Sequence, residues 1–122
     1  MKTALYLGGI AVLIIGGLYA LASKSSGPRD GRLDAFALCL AQKDITMYGA
    51  AWCSHCKTQK ALFGASFEKV PYVECPENQK LCLDKGVTGY PTWISGDGEK
   101  FAGVQSLERL SEISGCELPK ED

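Results

Sequence analysis

Apolar and polar positions divide the chain into three regimes. Residues 4–22 are apolar almost without interruption, residues 23–31 are rich in Ser, Gly, Pro and charge, and from residue 32 onward short apolar runs alternate with helix-period stretches. In the last regime Leu33, Phe36, Ala37 and Leu40 recur at helical spacing, so Arg32 to Lys43 is expected to be an amphipathic helix with Cys39 near its buried side. Ile45 to Tyr48 is too short for a helix and predicts a buried strand. Lys57 to Phe67 can then run helically, and Val70 to Glu74 predicts a second strand. A short helix around Asn78–Lys85 should stop at Gly86. Gly96-Asp97-Gly98 is a turn between the runs 92–95 and 99–102, which predicts a hairpin. Ser106 is placed to cap a last helix bearing Leu107, Leu110 and Ile113 on one face, and Gly115 to end it.

Two strands separated by a helix pair in parallel through a right-handed crossover, and the hairpin adds antiparallel strands at one edge. The expected fold is therefore a small four-stranded mixed α/β sheet flanked by helices. Phe36, Phe63, Phe67 and Trp93 are its candidate core aromatics.

The first regime is read separately. About 19 apolar residues at 1.5 Å each reach roughly 28 Å, close to a bilayer core of about 30 Å, so residues 1–22 are expected to be a transmembrane anchor. Lys2 at the start and Ala20-Leu21-Ala22 before Ser23 also fit a cleaved signal peptide. Either reading sends residues 32–122 out of the cytoplasm on a flexible linker, 23–31, as a single-pass membrane protein or a secreted one. Lys24, Arg29 and Arg32 after the run argue for the opposite orientation. The six cysteines outweigh them, because a reducing cytosol gives little reason to keep so many in 122 residues. With 13 basic and 14 acidic residues the charge is nearly balanced, so no nucleic-acid footprint is present.

Candidate chemistry lies in Trp52-Cys53-Ser54-His55-Cys56-Lys57, directly after the first strand. At a helix N-terminus, free backbone N–H groups and the dipole favour a thiolate on Cys53. Cys56, one turn on, is placed to resolve a mixed disulfide. Protonated His55 would further stabilise that thiolate. Trp52 reads either as a shield over the cysteine pair or as a plain packing residue.

Cys75 and Cys82 are close enough in sequence to form a structural disulfide, and Cys39 and Cys116 pair by elimination. Two other uses of Cys75 and Cys82 stay open, a second relay pair and a zinc site shared with Cys53 and Cys56. The wide Cys75–Cys82 spacing disfavours the metal, so neither metal nor cofactor is expected. Lys57 in place of His excludes haem attachment, and His55 as the sole histidine excludes a Cys-His hydrolase built elsewhere.

The Cys53/Cys56 motif followed about 35 residues later by Gly89-Tyr90-Pro91-Thr92 resembles the thioredoxin superfamily. More narrowly, Met47-Tyr48-Gly49-Ala50, Val70 to Cys75, Tyr90 to Ile94 and Gly103 to Leu107 resemble the thioredoxin-like domain associated with bacterial homologues of vitamin K epoxide reductase. The resemblance implies a cis peptide bond before Pro91. A substrate chain could then lie extended along Tyr90 and Pro91 while its sulfur meets Cys53. It also implies a thiol–disulfide oxidoreductase that passes electrons from cysteine-containing client proteins to a membrane quinone reductase of the vitamin K epoxide reductase type.

Two departures stand out. Met47 occupies the position of the buried acid of thioredoxins, and Ser54-His55 replaces their Gly-Pro, matching periplasmic oxidants in the histidine. The expected direction is disulfide formation, with a reductase or isomerase, or a non-catalytic client-binding module, as alternatives.

Overall fold

A computed structural model describes residues 31–120. The expected anchor and most of the linker lie outside these residues. Among the described residues, no helix is long and apolar enough to cross a membrane.

Helix α1 (Asp34–Gln42) follows a 3-10 turn at Gly31–Leu33 and buries Phe36, Ala37 and Leu40. Strand β1 (Thr46–Gly49) leads into helix α2 (Ser54–Phe63), and β2 (Tyr72–Glu74) leads through a 3-10 turn into the short α3 (Gln79–Asp84). The hairpin is β3 (Thr92–Ile94) and β4 (Lys100–Ala102), and α4 (Leu107–Ser114) closes the domain. The sheet order is β2-β1-β3-β4. Strand β1 pairs in parallel with β2 (Gly49 opposite Glu74) and antiparallel with β3 (Met47 opposite Trp93).

Boundaries differ from the sequence expectation where a backbone constraint intervenes. Helix α2 ends at Phe63 rather than Phe67, because Gly64 at φ 56° turns the chain into a six-residue 3-10 stretch. Strand β2 starts at Tyr72 rather than Val70, since Pro71 has no N–H to give the ladder, although its carbonyl still accepts from Met47 N–H at 2.9 Å. The last helix is capped as its sequence suggests: Ser106 Oγ accepts from Arg109 N–H at 3.0 Å, and Gly115 takes the left-handed conformation.

The main core joins Phe36, Leu40, Met47, Phe63, Trp93 and Leu110, whose burial is worth about 1.5–3 kcal/mol per large side chain. Phe67 sits at its margin, partly buried. Among the buried polar side chains, Gln59 bridges three segments. Gln59 accepts from Trp93 Nε1–H at 3.0 Å and Gln105 N–H at 2.7 Å, and donates to the Gln105 carbonyl at 2.9 Å. A single amide thus ties α2 to β3 and to the segment before α4, with every polar atom of that amide paired.

Disulfides join Cys39 to Cys116 and Cys75 to Cys82. On the chain-entropy scale, the first, closing 77 residues, is worth about 4.5 kcal/mol and the second, closing seven, about 2.5 kcal/mol.

Replacing Gln59 by Leu keeps the volume but orphans the Trp93 N–H and both main-chain groups of Gln105. Urea unfolding of the oxidised protein should show a loss of roughly 3 kcal/mol or more; a loss below about 1 kcal/mol would show that the network contributes little.

Candidate active site

Strand β1 ends at Gly49, and the chain turns through Ala50, Ala51 and Trp52 to present Cys53 as the N-cap of α2. Cys53 Sγ accepts the Cys56 backbone N–H at 3.2 Å, the contact by which an N-cap side chain satisfies a free helix donor. Here the acceptor is sulfur. Burial raises the Cys53 thiol, but hydrogen bonds from the Cys56 side chain and from the backbone N–H groups of Cys56 and His55 outweigh it, and the net shift is downward. The opposite holds one turn on. Cys56 is fully enclosed, and burial together with its hydrogen bond to Cys53 pushes its thiol up to about 11. Both cysteines are free thiols, so the arrangement can supply one sulfur as a nucleophile while the other is held as an acid.

His55 lies exposed in the first turn of α2, and its main-chain N–H is the part that acts on Cys53. Trp52 is 71 % exposed, which rules out the plain packing role, and its ring meets Tyr90 edge-on at 6.0 Å between centroids. The Tyr90-Pro91 bond is cis, and the Tyr90 carbonyl accepts from the Cys53 S–H at 3.7 Å. Cys53, Trp52 and Tyr90 therefore meet at one surface, while Pro91 itself is fully buried.

Beside it, a groove of about 330 Å³ runs from Tyr90 past Val87 and Leu83 to the Cys75–Cys82 bridge. With Cys75 and Cys82 bonded to each other, they cannot join Cys53 and Cys56 around a metal. Among the described residues, no group of His, Cys, Asp and Glu is arranged to hold one.

Three residues near the sulfurs escaped the sequence reading. Gly49 has to be small: a Cβ there would stand 2.9 Å from Cys56 Sγ and 3.2 Å from the Tyr72 ring. Tyr72 donates its hydroxyl proton to Glu74 at 2.6 Å, and the other Glu74 oxygen accepts from Ala51 N–H at 2.8 Å. The available signal was the parallel pairing itself, since the residues opposite β1 in β2 necessarily face the start of the active-site turn. Met47 is fully buried and supplies no carboxylate.

The thioredoxin family profile matches residues 34–114, about two thirds of the chain. Thiol-disulfide oxidoreductase LTO1 of Arabidopsis thaliana is 42% identical over 81 residues, covering 59% of this chain and 21% of that protein. Protein disulfide isomerase-like 2-2 of Oryza sativa subsp. japonica is 37% identical over 86 residues, covering 60% of this chain and 23% of that protein. The chain thus spans less than a quarter of the length of these relatives. Among solved structures, a mutant thioredoxin from Halobacterium salinarum NRC-1 is similar in fold, with a TM-score of 0.50 at 23% identity, covering 73% of this chain and 83% of that one. A capped cysteine pair at the head of α2, facing a cis-proline loop across a β2-β1-β3-β4 sheet, agrees with the family match, and the chain belongs to the thioredoxin family.

Proposed function

We propose that this protein is a thiol–disulfide oxidoreductase that forms or exchanges disulfides in client proteins, with Cys53 as nucleophile and Cys56 as resolving thiol. The observation that carries the reading is the unequal treatment of the two sulfurs. Cys53 takes a helix N–H and reaches the Tyr90 carbonyl, whereas Cys56 is sealed and burial pushes its thiol up to about 11. Cys53 attacks a client disulfide and Cys56 then resolves the mixed disulfide, releasing the reduced client. In the forming direction a client thiolate attacks Cys53 of the Cys53–Cys56 disulfide, and Cys56 leaves as the thiolate. A second client thiolate then resolves the mixed disulfide, with Cys53 as leaving group. Trp52 and Tyr90, whose backbone is set by the cis bond to the buried Pro91, hold an extended client segment, and the groove toward Leu83 accepts an apolar side chain from it.

In this reading residues 1–22 tether the protein to a membrane or direct its export, 23–31 are a flexible spacer, and 32–122 are the catalytic domain, facing an oxidising compartment. The disulfides Cys39–Cys116 and Cys75–Cys82 support that setting, because such bonds persist where thiols are not kept reduced. The stretches resembling the domain associated with vitamin K epoxide reductase homologues favour a membrane quinone reductase as electron partner. The relatives named protein disulfide isomerase-like favour isomerisation as the second reading of the same site.

In the Cys56→Ser variant, Cys53 should capture cysteine-containing clients as mixed disulfides that survive non-reducing electrophoresis, and Cys53→Ala should abolish them. Clients retained without Cys53 would instead indicate a non-catalytic binding module. Alkylation of reduced protein across pH should show Cys53 reacting below the ordinary cysteine range and Cys56 only towards pH 11, as the lowered and raised thiols require. The Cys53/Cys56 reduction potential decides direction: a value near about −120 mV accords with disulfide formation, and one near about −270 mV would assign the protein to reduction.

A further inference from the structure

Resolution of a mixed disulfide poses a problem that the capture step does not. Cys56 has to lose its proton as it attacks, yet it has no solvent exposure, and Cys53, bonded to the client, can no longer take that proton. The Ala50 main chain also contacts the Cys56 sulfur, but as a donor, so it cannot accept a proton. The remaining polar neighbour is across Gly49. The position a Cβ would occupy on Gly49 is 2.9 Å from Cys56 Sγ and 3.4 Å from the Tyr72 hydroxyl oxygen, so sulfur and phenol flank a gap left by one missing carbon. Tyr72 gives its own proton to Glu74 at 2.6 Å, which turns the lone pairs of its oxygen to other partners. Glu74 is partly exposed and fixed by Ala51 N–H at 2.8 Å, so the Tyr72–Glu74 hydrogen bond leads from the Gly49 gap to water.

We propose that Tyr72 and Glu74 carry the Cys56 proton out to solvent during resolution. As the Cys56 sulfur closes on Cys53, the Cys56 S–H bond breaks and its proton passes across the Gly49 gap to the Tyr72 oxygen, while the Tyr72 hydroxyl proton passes to Glu74 Oε2. The new Cys53–Cys56 bond forms with the electron pair of the Cys56 sulfur. The bond between Cys53 and the client breaks, and its pair leaves on the client sulfur as a thiolate. Glu74, now a neutral acid, returns its proton to water. The hydrogen bond from Tyr72 holds the Glu74 carboxyl below its usual range, so it is a free acceptor at neutral pH and empties again after each cycle. The titratable and charged groups around Cys56 are Cys53 and Lys60 on α2 and Tyr72 and Glu74 on β2. Lys60 Nζ lies 3.9 Å over the Tyr72 ring, and its charge favours the ionised forms of both Cys56 and Glu74.

This inference rests on the oxidoreductase reading, and one experiment separates the two. Reduced full-length protein is mixed with glutathione disulfide, and acid quenching at timed intervals follows first the capture of glutathione on Cys53 and then the decay of that mixed disulfide. In the unaltered protein, decay should be nearly independent of pH from about 6 to 8, as expected for a general base that is already ionised. Tyr72→Phe and Glu74→Gln should each slow decay about ten-fold or more at pH 7 and make it rise in proportion to hydroxide, with capture held within about two-fold. Glu74→Asp should recover part of the rate. Decay unchanged in rate and pH profile in Tyr72→Phe would overturn the proposal, and so would a parallel fall of capture and decay, which marks a distorted loop. Failure of the unaltered protein to capture glutathione at all would instead remove the oxidoreductase reading.

Discussion

The site depends on how closely α2 can approach β1. Cys56 sulfur rests against Gly49 with no room for a side chain between helix and strand, and Gln59, one turn further along α2, is bonded to Trp93 on β3 and to Gln105 before α4. Steric contact fixes the distance, and the buried amide fixes the rotation. A helix held at both points has its first turn aimed at the loop before Pro91, which is why Cys53 faces Tyr90 and not solvent alone.

Given that placement, the unequal sulfurs follow from elementary electrostatics. A helix start offers unpaired N–H groups to whichever atom caps it, and burial penalises charge on whatever lies one turn inside. At Cys53 burial is the largest single effect, and the hydrogen bond from the Cys56 thiol together with the helix N–H groups outweighs it. Cys56 receives mainly the burial penalty. Position along a single helical turn, together with the hydrogen bond between the two sulfurs, differentiates the pair.

Much of this was legible in the chain because it is local. The apolar run before Cys53, the Ser106 cap, the Gly115 stop and the Gly96-Asp97-Gly98 turn are each written within a few residues, and the structure has an element at every one of them. The missed features are long-range. Gln59 reads as an ordinary polar helix residue until Trp93 and Gln105, 34 and 46 positions away, close around it. Glu74 reads as the polar end of a strand, and only the parallel register opposite Gly49 brings it beneath the active-site turn. His55 shows the converse: its residue type suggested a charge, while its contribution comes from the main-chain N–H that nearly any residue at that position would supply.

The two closed bridges carry a consequence for the molecule's own assembly. Cys75, Cys82 and Cys116 are almost completely enclosed once bonded, so the finished domain hides these sulfurs and leaves only Cys53 and Cys56 as free thiols among the described residues. Before they close, all six cysteine sulfurs in the chain are chemical equals. The distinction between the free pair and the other four is therefore made by packing, which sorts four sulfurs into bridges and leaves two as thiols.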